Sequence, residues 1–126
     1  MGGNRWWVAL AVVGLGACES FIPGGDVRVR VENGSGLTFD RLVLYPGGVD
    51  SVVATSLVAG QRTPYQQVST AYALVTVAAS FGTESDRMQV IDHVGDPTLG
   101  GGKYTYVIGL VADGGRQRLT QQLRRD

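Results

Sequence analysis

The chain predicts an all-β fold, and three observations carry that expectation. Val27, Val29 and Val31 alternate with Arg28, Arg30 and Glu32, a period of two that belongs to a strand with one buried face and one wet face. Nineteen glycines and four prolines supply tight turns at short intervals. No stretch sustains a helical period. About eight strands at such spacing are the pattern of an antiparallel β-sandwich of about seven or eight strands.

The elements follow in order. Val27 to Glu32 is the first strand, closed by the turn Asn33-Gly34-Ser35-Gly36. Leu37 to Tyr45 is the second, with Asp40-Arg41 in its middle pointing to a bulge or a partly exposed position, and Pro46-Gly47-Gly48 ends it. Val49 to Thr55 makes a short third strand before the Ala59-Gly60 turn. Gln61 to Val68 is polar, and Pro64 removes a ladder donor, so this strand belongs at a sheet edge. Tyr72 to Phe81 is apolar on both faces and reads as a central strand. Gly82-Thr83-Glu84-Ser85 turns into a strand over Asp86–Asp92. After a glycine-rich connection, Tyr104 to Val111 is a strong strand, and Asp113-Gly114-Gly115 turns it into Arg116–Leu123.

The N-terminus is different in kind. Arg5 gives a positive start, Trp6 to Gly16 is uncharged and mostly apolar, and Leu15-Gly16-Ala17-Cys18 closes the run with small residues before the only cysteine. A transmembrane helix needs about 20 apolar residues, more than this run holds before Glu19. A buried core helix fits poorly with two tryptophans and several glycines. An ordinary secretory signal, cut at Ala17 or nearby, is the strongest rival. The stretch resembles the lipobox of bacterial lipoproteins. That resemblance implies cleavage before Cys18, a diacylglycerol on its thiol and usually an acyl group on its new amine. Residues 1–17 are then a removed leader, 18–25 a lipidated cysteine and short tether broken by Pro23-Gly24-Gly25, and 26–126 one β-sandwich domain. In the Gram-negative pattern an aspartate after the cysteine favours the inner membrane. Here Glu19 and Ser20 follow, which favours the outer membrane, facing the periplasm.

Without the leader, ten Lys/Arg (eleven less Arg5) face eleven Asp/Glu. Such a balance argues against nucleic acid, which demands a clustered basic surface. With Cys18 modified no cysteine remains for a disulfide or a thiolate metal site, so packing must supply the stability. The single histidine, His93, stands beside Asp92 and Asp96. With no second nitrogen or sulfur ligand, it reads as a turn residue capping backbone groups and not as a metal or acid–base centre. Glu32, Asp50 and Glu84 are scattered carboxylates with nothing to pair them. Gly100-Gly101-Gly102-Lys103 lacks the strand–loop–helix setting of a phosphate loop. Arg116, Arg118, Arg124 and Arg125 are the one basic concentration. They read as a solvated edge strand and tail, with contact to anionic lipid headgroups or lipopolysaccharide as the alternative. Tyr45, Tyr65, Tyr72, Tyr104 and Tyr106 are core or rim residues of a sandwich, or the lining of a binding face.

Val27–Gly36, Ala59–Tyr65, Tyr72–Phe81, Ile91–Leu99 and Gly102–Ile108 together resemble small bacterial lipoproteins whose mature part is one immunoglobulin-like or transthyretin-like β-sandwich. The resemblance rests on strand-and-turn signatures and implies no catalytic residues and no cofactor. The expected function is that of a non-enzymatic binding or structural module, held to the membrane by lipid on Cys18, with an envelope protein as partner. A small-ligand carrier or periplasmic enzyme inhibitor, working through a loop end of the sandwich, is the alternative. A hydrolase ranks third, because no nucleophile–base pair can be named.

Overall fold

The computed structural model describes residues 26–47 and 50–126. The leader, Cys18 and the tether expected over 18–25 lie outside the described residues. Eight strands form: β1 (Val27–Asn33), β2 (Phe39–Gly47), β3 (Asp50–Leu57), β4 (Gln66–Val68), β5 (Thr76–Phe81), β6 (Glu84–Met88), β7 (Gly102–Asp113) and β8 (Arg116–Arg125). They build two four-stranded sheets, ordered β4-β1-β7-β8 and β3-β2-β5-β6.

Every pairing is antiparallel except one. β1 runs parallel to β7, with Val27 opposite Gly102 and Asn33 opposite Ile108, which corrects the expectation of a wholly antiparallel sandwich. A parallel pair needs a long crossover, and here the chain between the two strands builds the second sheet and the edge strand β4 of the first. The polar segment expected to pair over Gln61–Val68 does so only over Gln66–Val68, at the edge of its sheet. Before Pro64 it touches β1 through an isolated bridge between Glu32 and Arg62 and through Thr63, which donates from its amide to the Val31 carbonyl. The apolar run from Tyr72 forms a strand only from Thr76 and lies inside its sheet. Residues 72–75 are used instead to cross between sheets.

The core is what the β1 alternation demands. Val29, Val31, Tyr106 and Ile108 of one sheet are fully buried against Leu42, Leu44, Val75 and Val77 on the other side. Phe39 and Phe81 meet edge to face at 6.1 Å, a favoured aromatic geometry. The outward face of β1 is less wet than its arginines imply. The Arg30 side chain is 19% exposed; its Nε donates to Thr105 Oγ1 at 2.9 Å and its guanidinium lies over the Tyr65 ring at 4.4 Å. Val29→Ala and Val75→Ala are each expected to cost about 1–3 kcal/mol through lost burial and a residual cavity. Arg30→Ala should cost about 1 kcal/mol, above the few tenths usual for surface changes. Urea denaturation of the three variants checks both statements.

Side chains stitch the two flanks where the sheets would otherwise splay. On one flank Asp86 Oδ2 accepts from the Leu119 amide at 2.8 Å. The Gln121 amide bonds both main-chain groups of Val75, at 2.9 and 2.7 Å. On the other flank Asp50 Oδ2 accepts from the amide and hydroxyl of Ser69, both at 2.8 Å, and Gln66 donates to the Ser51 carbonyl. The Ser69 donors hold the Asp50 carboxyl below its usual range. Two ends result. The proximal end carries the start of β1 and the loops 69–75 and 89–101, tied together by Gly102 N to Asp26 O, Tyr72 N to Pro46 O and Leu99 N to Ala71 O. The distal end carries the turns after β1, β3, β5 and β7.

Candidate functional site: an arginine-lined trough

Strand register assembles a site that no local motif announces. On the outer face of the second sheet, Arg41 of β2 stands beside Ser80 of β5, which stands beside Ser85 of β6. The next outward row is Val43, Ala78 and Arg87. Short side chains in the middle of both rows leave a depression between long ones, and Arg116 at the start of β8 closes one side. The result is an open trough of about 520 Å³ lined by Arg41, Arg87 and Arg116 over Val43, Ala78 and Ser80.

Its electrostatics are one-sided. The side chains of Arg41, Arg87 and Arg116 have no ion pair or hydrogen bond among the described residues, whereas the carboxylates around them are engaged. Asp86, which also lines the trough, is turned to the Leu119 amide and to Arg118. Burial raises the pKa of Asp86, but the main-chain donors of Leu119 and Arg87 and the Arg118 guanidinium more than offset it and hold the carboxyl below its usual range. Asp40 accepts from the Gly82 amide at 2.7 Å, and Glu84 from the Gln117 amide at 3.4 Å. The three free guanidiniums are planar donors suited to carboxylate or phosphate oxygens. Val53 (49% exposed) and Tyr45 (40% exposed) extend the same outer face with apolar surface.

The opposite face of the sandwich has charge too, but there it is consumed internally. Asp126 Oδ2 accepts from the hydroxyls of Tyr65 and Thr105, both at 2.6 Å, and Oδ1 lies 3.1 Å from Arg124 Nε. Burial pushes the Asp126 carboxyl up; the bonds from Thr105, Tyr65 and Arg124 outweigh it and bring it to about 2. The Asp126 carboxylate is thus engaged within the fold on both oxygens.

The residues singled out in the sequence distribute as follows. Cys18 lies outside the described residues. His93 stacks flat on Tyr72, ring centroids 3.8 Å apart, with Nδ1 3.3 Å from Asp96 Oδ2. Its ring packs on an aromatic where a backbone cap was expected. No group of three metal-ligating side chains occurs among the described residues. Glu32, Asp50 and Glu84 are each engaged with separate partners. The C-terminal arginines part company: Arg118 pairs with Asp86 and Asp113, Arg124 with Glu32 and Asp126, Arg125 leans over Tyr104, and Arg116 reaches the trough. Tyr104 and Tyr106 are core, and the Tyr106 hydroxyl donates to the Tyr72 carbonyl.

Sequence reading missed the trough. In the sequence Arg41 marks only a mid-strand irregularity, and Arg87 carries no signal of its own. The available signal was weak: an outward-parity arginine in each of two strands, with small residues at the outward positions of the strand between them.

No protein-family model matches the chain, and no curated protein matches it. Among solved structures it is similar to a protein from Eubacterium rectale determined by NMR, with a TM-score of 0.55 at 10% identity, covering 76% of this chain and 87% of that one. At that identity the likeness is one of fold alone.

Proposed function

We propose that this chain is a lipid-anchored cell-envelope protein whose immunoglobulin-like or transthyretin-like sandwich binds an acidic segment of an envelope partner, without catalysing a reaction. The lipid on Cys18 holds it to the membrane, at the periplasmic side of the outer membrane. One acyl chain anchors only marginally, whereas two or three give stable residence, and confinement raises the effective concentration for a partner in the same membrane.

The observation that carries the binding reading is the trough with three unpartnered arginines. A protein partner is favoured by the mixed character of the face, because arginine, tyrosine and aliphatic side chains together resemble the composition of protein interfaces. Its position on a sheet face, open to solvent, favours a docking surface over an enclosed carrier site.

Titration of the protein with a synthetic peptide rich in Glu and Asp around a central Leu tests this. Arg41→Ala and Arg87→Ala should each weaken binding by roughly three- to tenfold, the loss of one charge-assisted contact at a partly solvated site. Arg62→Ala, whose guanidinium is already paired with Glu32 away from the trough, should change it little. Equal weakening by Arg124→Ala, on the other sheet, would mean general charge attraction and remove the trough from consideration.

A further inference from the structure

The proximal end of the sandwich presents aliphatic surface that the fold does not use. Ile91 is 89% exposed, Val94 88% and Leu74 56%, all in the two loops beside the start of β1. Isolated exposed aliphatics need no explanation, but these share one end and two of them are almost bare. They are also held outward. His93 is clamped flat against Tyr72, and the Val90 amide donates to Thr76 Oγ1 at 3.0 Å. Asp96 N donates to the His93 carbonyl at 2.9 Å, closing a turn with Val94 and Gly95 at its tip, where Gly95 has φ +84°. A positive φ at the third turn position suits glycine, so the turn is locally specified and Val94 is placed at its apex.

The place of this loop relative to the anchor gives the aliphatics an occupant. Asp26, where the described chain begins, bonds to Gly102, where the loop ends, at 2.8 Å. Seven residues separate Cys18 from Asp26, and eight residue steps span at most about 29 Å even fully extended. A lipidated Cys18 therefore keeps the proximal end within about 29 Å of the membrane surface, close enough for the loop beside Asp26 to reach it.

We propose that this end rests on the bilayer, with Ile91 and Val94 inserted at the boundary between headgroups and acyl chains. The inference rests on the lipid-anchor reading and adds a second membrane contact to it. Aliphatic side chains at that depth lose water at no hydrogen-bonding cost. Of the loop's two carboxylates, Asp92 Oδ1 is turned back to the Val94 amide at 3.1 Å and Asp96 Oδ2 lies 3.3 Å from His93 Nδ1; Asp96 is half exposed and stays on the headgroup side of the insertion. Two contacts, one covalent and one inserted, would fix the domain's tilt and hold the arginine trough, on a sheet face and not at this end, in the aqueous phase.

The test uses the membrane-extracted full chain in vesicles of phosphatidylethanolamine with a minority of phosphatidylglycerol. Val94→Cys and, at the distal end, Val58→Cys are each labelled with an environment-sensitive thiol fluorophore and exposed to lipids carrying a nitroxide on the acyl chain. The expected result is a blue-shifted emission quenched by the nitroxide lipid at position 94, and neither effect at position 58. An emission at 94 as water-like as at 58 would overturn the docking while leaving the anchor intact. A blue shift at 94 without quenching means that a protein and not lipid covers this end, and overturns it equally. The unsubstituted chain separates the two readings. If Cys18 itself takes the label and the chain stays in the aqueous fraction, the anchor reading fails and the docking falls with it.

Discussion

Asn33→Leu is expected to destabilise the fold by about 3–5 kcal/mol, because several partly or fully buried groups lose their partner at once. Asn33 is completely buried at the end of β1. Its Nδ2 donates to the carbonyls of Leu37 and Leu57, both at 2.8 Å, and its Oδ1 accepts from the amide and hydroxyl of Ser35 at 2.8 and 2.6 Å. Its main chain pairs with Gln61 and Gly60. One side chain thus ties β1 to the turn that follows it and to the end of β3 in the other sheet. Asn33→Asp sharpens the test. A carboxylate would place negative charge against two carbonyl oxygens, so the variant's carboxyl is expected to have a folded-state pKa raised above the unfolded value of about 3.9. A raised pKa means that the protonated form favours the fold. The penalty is then fully present at neutral pH and relieved as pH falls through the folded pKa towards the unfolded one. Denaturation at pH 7 and pH 4 should show a smaller deficit, relative to the parent, at the lower pH.

Asn33 also marks the boundary of what the sequence discloses. Read in line, Asn33-Gly34-Ser35-Gly36 is a turn, and the turn is there. Its burial is not legible, because it depends on β3 ending close by, which is a non-local fact. The same division holds elsewhere. Val27, Val29 and Val31 announce their buried face since a period of two leaves only one way to sit on a core. Pro64 announces an edge because it lacks a donor. The parallel pairing of β1 with β7 has no local signature, and neither does the work of Gln121, which reads as a polar residue on an edge strand but pairs with Val75 across the flank. Arg30 carries the most instructive mismatch. Alternation assigns it correctly to the outward face and wrongly to water, because Tyr65 and Thr105 cover it from elements that pattern cannot bring together. The trough is of this kind. Arg41 and Arg87 lie far apart in sequence and meet through the register of β2, β5 and β6, so single strands read alone could not reveal it.

The second large effect concerns location and not stability. Cys18→Ser is expected to move the chain from the membrane and detergent phase into the aqueous phase, while melting of the sandwich stays unchanged. The physical reason is that transfer of the diacylglycerol requires a thiol, and each buried methylene of an acyl chain contributes about 0.8 kcal/mol to membrane residence. Removing two chains abolishes an affinity that a pair of loop aliphatics such as Ile91 and Val94 cannot replace. The fold should not notice, because the strands that build both sheets begin at Val27. An ordinary secretory signal cut near Ala17 makes the opposite forecast: Cys18→Ser would change neither partition nor mass. Intact-mass measurement decides between them. The parent should have lost the leader and gained acyl mass on Cys18, and the variant should carry no acyl mass. An unmodified Cys18 in the processed parent would remove the anchor and, with it, the membrane contact of the 89–101 loop. The arginine trough would survive that outcome, since its geometry depends on strand register alone, and the acidic partner would then be sought in solution.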